Sequence, residues 1–277
     1  METPRYTIRT FSLEIIAILL GLLFLVPFYF VIVNSFKTFA DLLTDPTSLP
    51  TSLMWDNFVR AWKILKFPTV LTNSLIITVI ANLAIAFLSA MAAYRMVRHP
   101  NKLNNFLFLI FVAAMVIPFQ SIMIPLVRVA KTAGLFDSIF GLVVCYIGFG
   151  APLSIFMFHG FIKSIPMEIE ESAVVDGTST YGTFFRIVLP LLKPIGVTVI
   201  LLNSLWIWND FLLPFLILQD PTLKTIPLAT NTFFGQYTKQ WDLALAALVL
   251  GIIPIVIFFL AMQRHIIEGI TAGSVKG

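Results

Sequence analysis

The sequence predicts an all-α polytopic membrane protein: six transmembrane helices, with a cytoplasmic two-helix loop between the fourth and the fifth. Three observations carry this. Of the 277 residues, 58% are hydrophobic and only 12% are charged, with a mean hydropathy of +0.95. A soluble domain carries roughly 25% charged residues to cover its surface, so no sizeable soluble domain accompanies the spans and 1–277 reads as a single transmembrane domain. Six apolar runs, at 13–33, 71–94, 106–127, 138–158, 191–218 and 243–262, each approach or exceed the length a helix needs to cross a bilayer. Residues 165–190, IPMEIEESAVVDGTSTYGTFFRIVLP, stand apart as polar and amphipathic. The net charge of +4 suits a surface facing anionic lipid, and the 18 basic residues are scattered singly and in pairs, which argues against nucleic acid.

Taken in order, the run 13–33 is broken only by Glu14 and carries Pro27 as a candidate kink that neighbouring helices absorb. It is too long for the core of a cleaved signal peptide and no small-x-small site follows, so it reads as an uncleaved first span. The polar stretch 34–70, with Pro46, Pro50, Trp55, Trp62 and Pro68, is an outer loop in which 55–66 reads as an interfacial helix. On the second span Thr78, Asn82 and Ser89 share one face, the pattern of polar residues bonding a neighbouring helix. Arg95, Arg98 and Lys102 then form the densest positive cluster, which places that loop in the cytoplasm.

The third span is interrupted by Pro118, Gln120 and Pro125, breaks tolerated where a helix lines a cavity or packs on protein. After a short outer turn at 128–137 the fourth span is loosened by Gly148, Gly150 and Pro152, with Cys145 inside it as a small core or lipid-facing residue and His159 at its inner end. No second histidine or carboxylate is spaced to make His159 a metal ligand. Six spans put both termini on one side, and parity puts them and 165–190 in the cytoplasm with Arg95; 219–242 is then an outer loop and 263–277 a short polar tail.

Within 165–190, Pro166 suits a first helical turn, and Glu168, Glu170 and Glu171 load the positive end of the dipole. Gly177 is expected to stop that helix in the left-handed conformation, and Thr178 or Ser179 to cap a second one running to Pro190. Ile165, Ile169 and Ala173 recur every four residues as an apolar stripe beside acidic residues, a surface for a partner protein. The spacing Glu171-Ser172-Ala173, three residues ending in Asp176, Gly177, nine residues, Ile187, one residue, Leu189-Pro190 resembles the EAA loop of ABC importer permeases, with Ser172 in place of the first alanine as the one departure. The flanking Ile165-Pro166 and Trp208-Asn209-Asp210-Phe211 resemble the smaller permease subunit of maltose-type carbohydrate importers, a binding-protein-dependent transport system inner membrane component.

That resemblance implies a coupling loop that docks into a cytoplasmic ATPase dimer, with Glu171 pairing a basic residue there. It also implies a second permease subunit, an extracytoplasmic solute-binding protein, a sugar or oligosaccharide substrate, and the inner membrane of a bacterial or archaeal cell. No cofactor is expected on this chain, since ATP and Mg would sit on the ATPase. In keeping with a non-enzyme, the sequence has no HExxH, GxSxG or GxxxxGK[ST], and no pair of carboxylates facing across two spans.

The acidic residue far from a span end is Asp210, expected on one stripe with Asn203, Trp206 and Pro214. At 1.5 Å per residue it lies about 12 Å below the outer edge, where a charge must face water, a partner chain or a cation. Asn203, Trp206 and Asp210 therefore read either as a lining of the translocation path or as buried hydrogen-bonded helix contacts. An ion-driven secondary transporter remains the alternative of another class; it would show paired halves or charges facing across helices at mid-membrane, and neither is visible. An ABC permease for a non-sugar solute, and a membrane scaffold, also remain open.

Overall fold

The computed structural model describes residues 7–235 and 240–274. The chain ends, including Arg5 and Lys276, lie outside the described residues. In chain order the helices are α1 (Ile8–Ser35), α2 (Phe39–Thr44), α3 (Asp56–Leu65), α4 (Phe67–Arg98), α5 (Lys102–Ala114), α6 (Phe119–Thr132), α7 (Ile139–Ile162), α8 (Glu168–Val175), α9 (Thr180–Thr183), α10 (Leu189–Leu191), α11 (Lys193–Asn209), α12 (Leu212–Ile217), α13 (Ile226–Thr230) and α14 (Trp241–Ser274). No strand forms among the described residues.

Four helical stretches, Thr10–Ser35, Phe67–Arg98, Ile139–Ile162 and Trp241–Gln263, are long and apolar enough to cross a membrane, and two bent pairs bring the number to six when each counts as one span. The third run, expected as one helix over 106–127, is α5 and α6 bent by 109°. Pro118, which has no N–H to give and pushes Ile117 out of the helical region, stands at the N-cap of α6. Arg128 consequently belongs to α6, and the outer turn begins only at Ala133. The fifth run, expected over 191–218, begins at a 72° bend between Thr180–Leu191 and Lys193–Asn209, with Pro194 in the first turn of α11, and is divided at Asp210 into α11 and α12. The tail expected to be polar and short continues α14 to Ser274.

Two compact units organise the contacts, Met1–Phe67 with Thr230–Ile253 and Pro68–Ala229 with Pro254–Gly277. In the first, α1 has none of its apolar window buried within the chain. The loop after it closes on side chains that satisfy backbone carbonyls. Asn57 Nδ2 donates to Ser35 O at 3.0 Å and Lys37 O at 2.8 Å. Asn34 Nδ2 reaches Phe30 O and Pro46 O. The Lys37 ammonium, 2% exposed, donates to Asp45 O at 2.8 Å. Thr47 and the Ser48 amide bond the Asp45 carboxylate and hold it below the usual range. The interfacial helix expected at 55–66 is α3, which buries Asn57, Ala61 and Leu65 at four-residue spacing, keeps Trp62 exposed, and ends at Lys66 with φ +50°.

In the second unit α4 and α7 supply walls to two apolar cores. One gathers Ile77, Ala81 and Ile85 with Leu142, Tyr146, Ile207 and Ile217; the other gathers Ala90, Ala93 and Met96 with Ile155, Phe158, Ile162 and Val188. Close approach needs small residues. A Cβ on Gly150 would stand 2.6 Å from Ile85 Cδ1 and 2.9 Å from Asn203 Oδ1, so this glycine lets α4, α7 and α11 meet. Polar pairs tie the same helices. With its amide oriented to satisfy both groups, Asn82 accepts from Ser204 Oγ at 2.8 Å and donates to Ile200 O at 3.1 Å; of the face expected to bond a neighbouring helix, Asn82 does so, while Ser89 Oγ is buried without a hydrogen-bond partner among the described residues.

Asn57→Leu leaves two carbonyls without their donor, a loss of about 1 to 3 kcal/mol. Faster amide exchange across residues 34–66 of the detergent-solubilised protein is the expected outcome, whereas Ser52→Ala, at an exposed position, should leave exchange unchanged.

Candidate functional site

After α7 the chain turns at Lys163 and Ser164, and Met167 caps α8. Pro166 stands one residue ahead of that cap rather than in the first turn. Glu168, Glu170 and Glu171 occupy the first turn, where the helix dipole favours negative charge. The helix ends as expected at Gly177, φ +83°. Gly177 N donates to Val174 O and Thr178 N to Ala173 O, both at 3.0 Å, the paired bonds of a Schellman stop that satisfy carbonyls left free at the helix end. Of the two expected caps it is Ser179 that serves, its Oγ accepting from Gly182 N at 3.2 Å. α9 then passes through a π-turn at Phe184–Val188 into α10, so that Ile187, Leu189 and Pro190 lie on a continuous helical stretch that ends at the bend.

The expected apolar stripe divides. Ile165 and Ala173 are buried within the chain, and Ile169 is left exposed. The loop's outward apolar surface is made instead by Met167, Ile169, Val174, Val175 and Tyr181, with Val175 87% and Tyr181 75% exposed. Glu171, Ser172 and Asp176 stand beside it in solvent. Glu170 faces the other way. Only 4% exposed, it receives Arg98 Nε on Oε1 at 2.7 Å and the Tyr94 hydroxyl on Oε2 at 2.8 Å, while Arg98 Nη2 donates to Ile165 O at 3.0 Å. This is the one ion pair among the described residues.

Arg98 and Glu170 escaped the sequence reading as partners, since 72 residues separate them. A signal existed: Glu170 shares a helix face with Ala173, and an inward carboxylate requires a cation, which the Arg95–Lys102 cluster offers.

The three path candidates are brought together only in part. Asn203, 6% exposed, donates to Ser154 Oγ at 3.1 Å and Val199 O at 2.9 Å, a contact between α11 and α7. α11 stops at Asn209 and Asp210 is extended (φ −73°, ψ 126°), so the helical stripe expected through Asp210 to Pro214 does not continue. Asp210 instead accepts from the Tyr146 hydroxyl on Oδ2 and from Leu212 N on Oδ1, both at 3.0 Å, joining α7 to the start of α12. Trp206 lies edge-on to the same tyrosine, with ring centroids 5.4 Å apart.

Apolar helices long enough to cross a membrane, two bent pairs and a two-helix loop turned at Gly177 define a polytopic membrane protein. A family profile described as binding-protein-dependent transport system inner membrane component matches residues 83–271, and the chain belongs to that family. It is similar to the probable starch degradation products transport system permease protein AmyC of Thermoanaerobacterium thermosulfurigenes, 44% identical over 97% of this chain and 98% of that protein. It is also similar to the melibiose/raffinose/stachyose import permease protein MelC of Bacillus subtilis (strain 168), 34% identical over 97% and 99%. The fold matches a chain from the crystal structure of a bacterial ABC transporter involved in the import of the acidic polysaccharide alginate, with a TM-score of 0.78 at 21% identity, over 95% of this chain and 99% of that one. The protein is a multi-pass membrane permease of an ABC importer.

Tyr146 is fully buried, so Asp210→Leu strips its hydroxyl of an acceptor, at about 1 to 3 kcal/mol. A lower thermal midpoint is expected for that variant and a near-native one for Asp210→Asn, which keeps an acceptor oxygen.

Proposed function

We propose that this chain passes a sugar or oligosaccharide inward, driven by an ATPase dimer on separate subunits that docks on α8 and α9. The observation that carries the docking surface is the exposed apolar cluster of Val174, Val175 and Tyr181 with Glu171 beside it. Solvent-facing apolar groups rimmed by a carboxylate suit a protein cleft that supplies a cation. The sugar class rests on what the relatives are named to carry, namely starch degradation products and melibiose, raffinose and stachyose. ATP and Mg belong on the ATPase, and this chain contributes no catalytic group of its own.

In this reading Glu171 pairs with a basic residue of the ATPase, and Ser172, Ala173 and Asp176 complete the docking helix. Gly177 sets the angle to the second helix, while Ile187, Leu189 and Pro190 carry it back to the spans. The loop and both termini face the cytoplasm, supported by Arg95, Arg98 and Lys102 on the neighbouring loop. A solute-binding protein meets the outer face. A second permease subunit and membrane lipid share the span surfaces, with α1 offering the most unburied one.

Glu171→Ala leaves the partner's charge buried and unpaired, weakening docking by about 2 to 5 kcal/mol. Nothing lies within 4 Å of a Cβ built on Gly177, so Gly177→Val acts through its positive φ alone, at about 1 to 2 kcal/mol. Both variants should insert normally yet lose the ATPase on purification or hydrolyse ATP without uptake. Normal uptake at normal abundance would overturn the docking role. Orientation is checked by a membrane-impermeant thiol reagent on Thr178→Cys in a Cys145→Ala background: labelling is expected only after permeabilisation, and labelling of intact cells would reverse the topology.

A further inference from the structure

The joint between Arg98, Glu170 and Tyr94 does more than fix the loop. We infer that Arg98 and Glu170 are positioning residues for transport, coupling displacement of α8 to α4, which carries it as a single rod to the outer segment at 222–226. The inference rests on the reading that α8 docks the ATPase.

The geometry points this way at both ends of α4. At its C-terminal end Arg98 and Tyr94 together hold both oxygens of Glu170, and Arg98 also holds Ile165 O, so the start of α8 is fastened from one helix. Twenty or more residues away, Asn73 Nδ2 donates to Thr222 O at 2.8 Å and Lys224 O at 3.1 Å, and Ser74 Oγ accepts from Ile226 N at 2.9 Å. Between these clamps α4 runs without a break. Its 32 residues extend over about 48 Å at 1.5 Å per residue, more than the ~30 Å hydrocarbon core.

The other routes from the loop into the spans are interrupted. The path back to α7 passes the turn at Lys163 and Ser164, and α7 itself holds Pro152. The path forward crosses a π-turn and a 72° bend. A strut also needs a joint that resists parting. With side chains 10% and 5% exposed, the Arg98–Glu170 pair is little screened by salt, and separating it would leave a carboxylate and a guanidinium buried without partners. Shifting α8 alone therefore parts this joint, whereas moving α8 with α4 keeps it intact.

The test uses the assembled transporter of permease, ATPase and binding protein in vesicles, with Thr222→Cys in a Cys145→Ala background reporting on the outer segment. Thr222 is exposed and lies at the far clamp. In the parent, thiol labelling at 222 should change when ATP is added. Arg98→Ala and the milder Glu170→Gln are expected to retain the ATPase and its hydrolysis, to lose the ATP-dependent change at 222, and to move about tenfold less solute per ATP. The exchange Arg98→Glu with Glu170→Arg should restore part of both signals, and normal membrane abundance with a retained, hydrolysing ATPase in the single variants separates lost transmission from lost folding.

A wild-type ratio of solute to ATP in Arg98→Ala at normal abundance would overturn the proposal. So would loss of the ATPase from Glu170→Gln, because the pair would then serve docking and not transmission. Failure of the docking reading itself shows separately, as a parent chain that never retains an ATPase.

Discussion

Every backbone N–H and C=O placed at membrane depth must find its partner within the protein, because the hydrocarbon core offers no water to bond. The rest of the fold follows from that constraint. Where a helix is unbroken, as in α4, its own ladder meets the requirement. Where it breaks, a nearby group takes over: at Asp210 the carboxylate bonds Leu212 N, and around Leu192 the amides of Leu192 and Gly196 reach back to Val188 O and Leu192 O. Breaks that are paid for locally can be used to turn the chain, which is how one continuous stretch becomes α9 to α11 with a bend where it enters the spans.

Apolar burial alone does not choose neighbours among helices already solvated by lipid, so specificity falls to small residues and to polar pairs. Gly150 permits the approach of Ile85 and Asn203; Asn203 then bonds Ser154, while Asn82 bonds Ser204 one turn along. Both contacts put α11 against a partner, α7 in one case and α4 in the other. The two path candidates on α11 thus differ in surroundings, since Asn203 is consumed in such a contact whereas Trp206 remains 40% exposed.

How much was legible follows from how local each feature is. The stop at Gly177 and the cap at Ser179 depend on residues within one turn of themselves, and the sequence shows the first and narrows the second to Thr178 or Ser179. The four unbroken spans are likewise carried by runs of apolar residues. The size of the bends is not, because Pro118 marks a break without fixing an angle and hydropathy averaged over a window passes smoothly through it and through Leu192, where the chain turns by 109° and 72°. The stripe of Ile165, Ile169 and Ala173 has the right period yet the wrong outlook, since a period says that residues share a face and not which way that face looks. Glu170 is the sharpest case. Beside Glu168 and Glu171 it reads as one more acid at a helix start, and only a tyrosine and an arginine from α4 turn it into a buried anchor.

The bare surface of α1 has a bearing on the membrane in which the protein works. Its apolar stretch of 26 residues is about 39 Å long at 1.5 Å per residue, against a hydrocarbon thickness of ~30 Å. No residue of its apolar window is buried within the chain, and a helix of that length fits a ~30 Å core by tilting or by bending at Pro27. A thicker bilayer would let it stand more upright and a thinner one would lean it further, wherever its surface meets lipid and not a partner subunit.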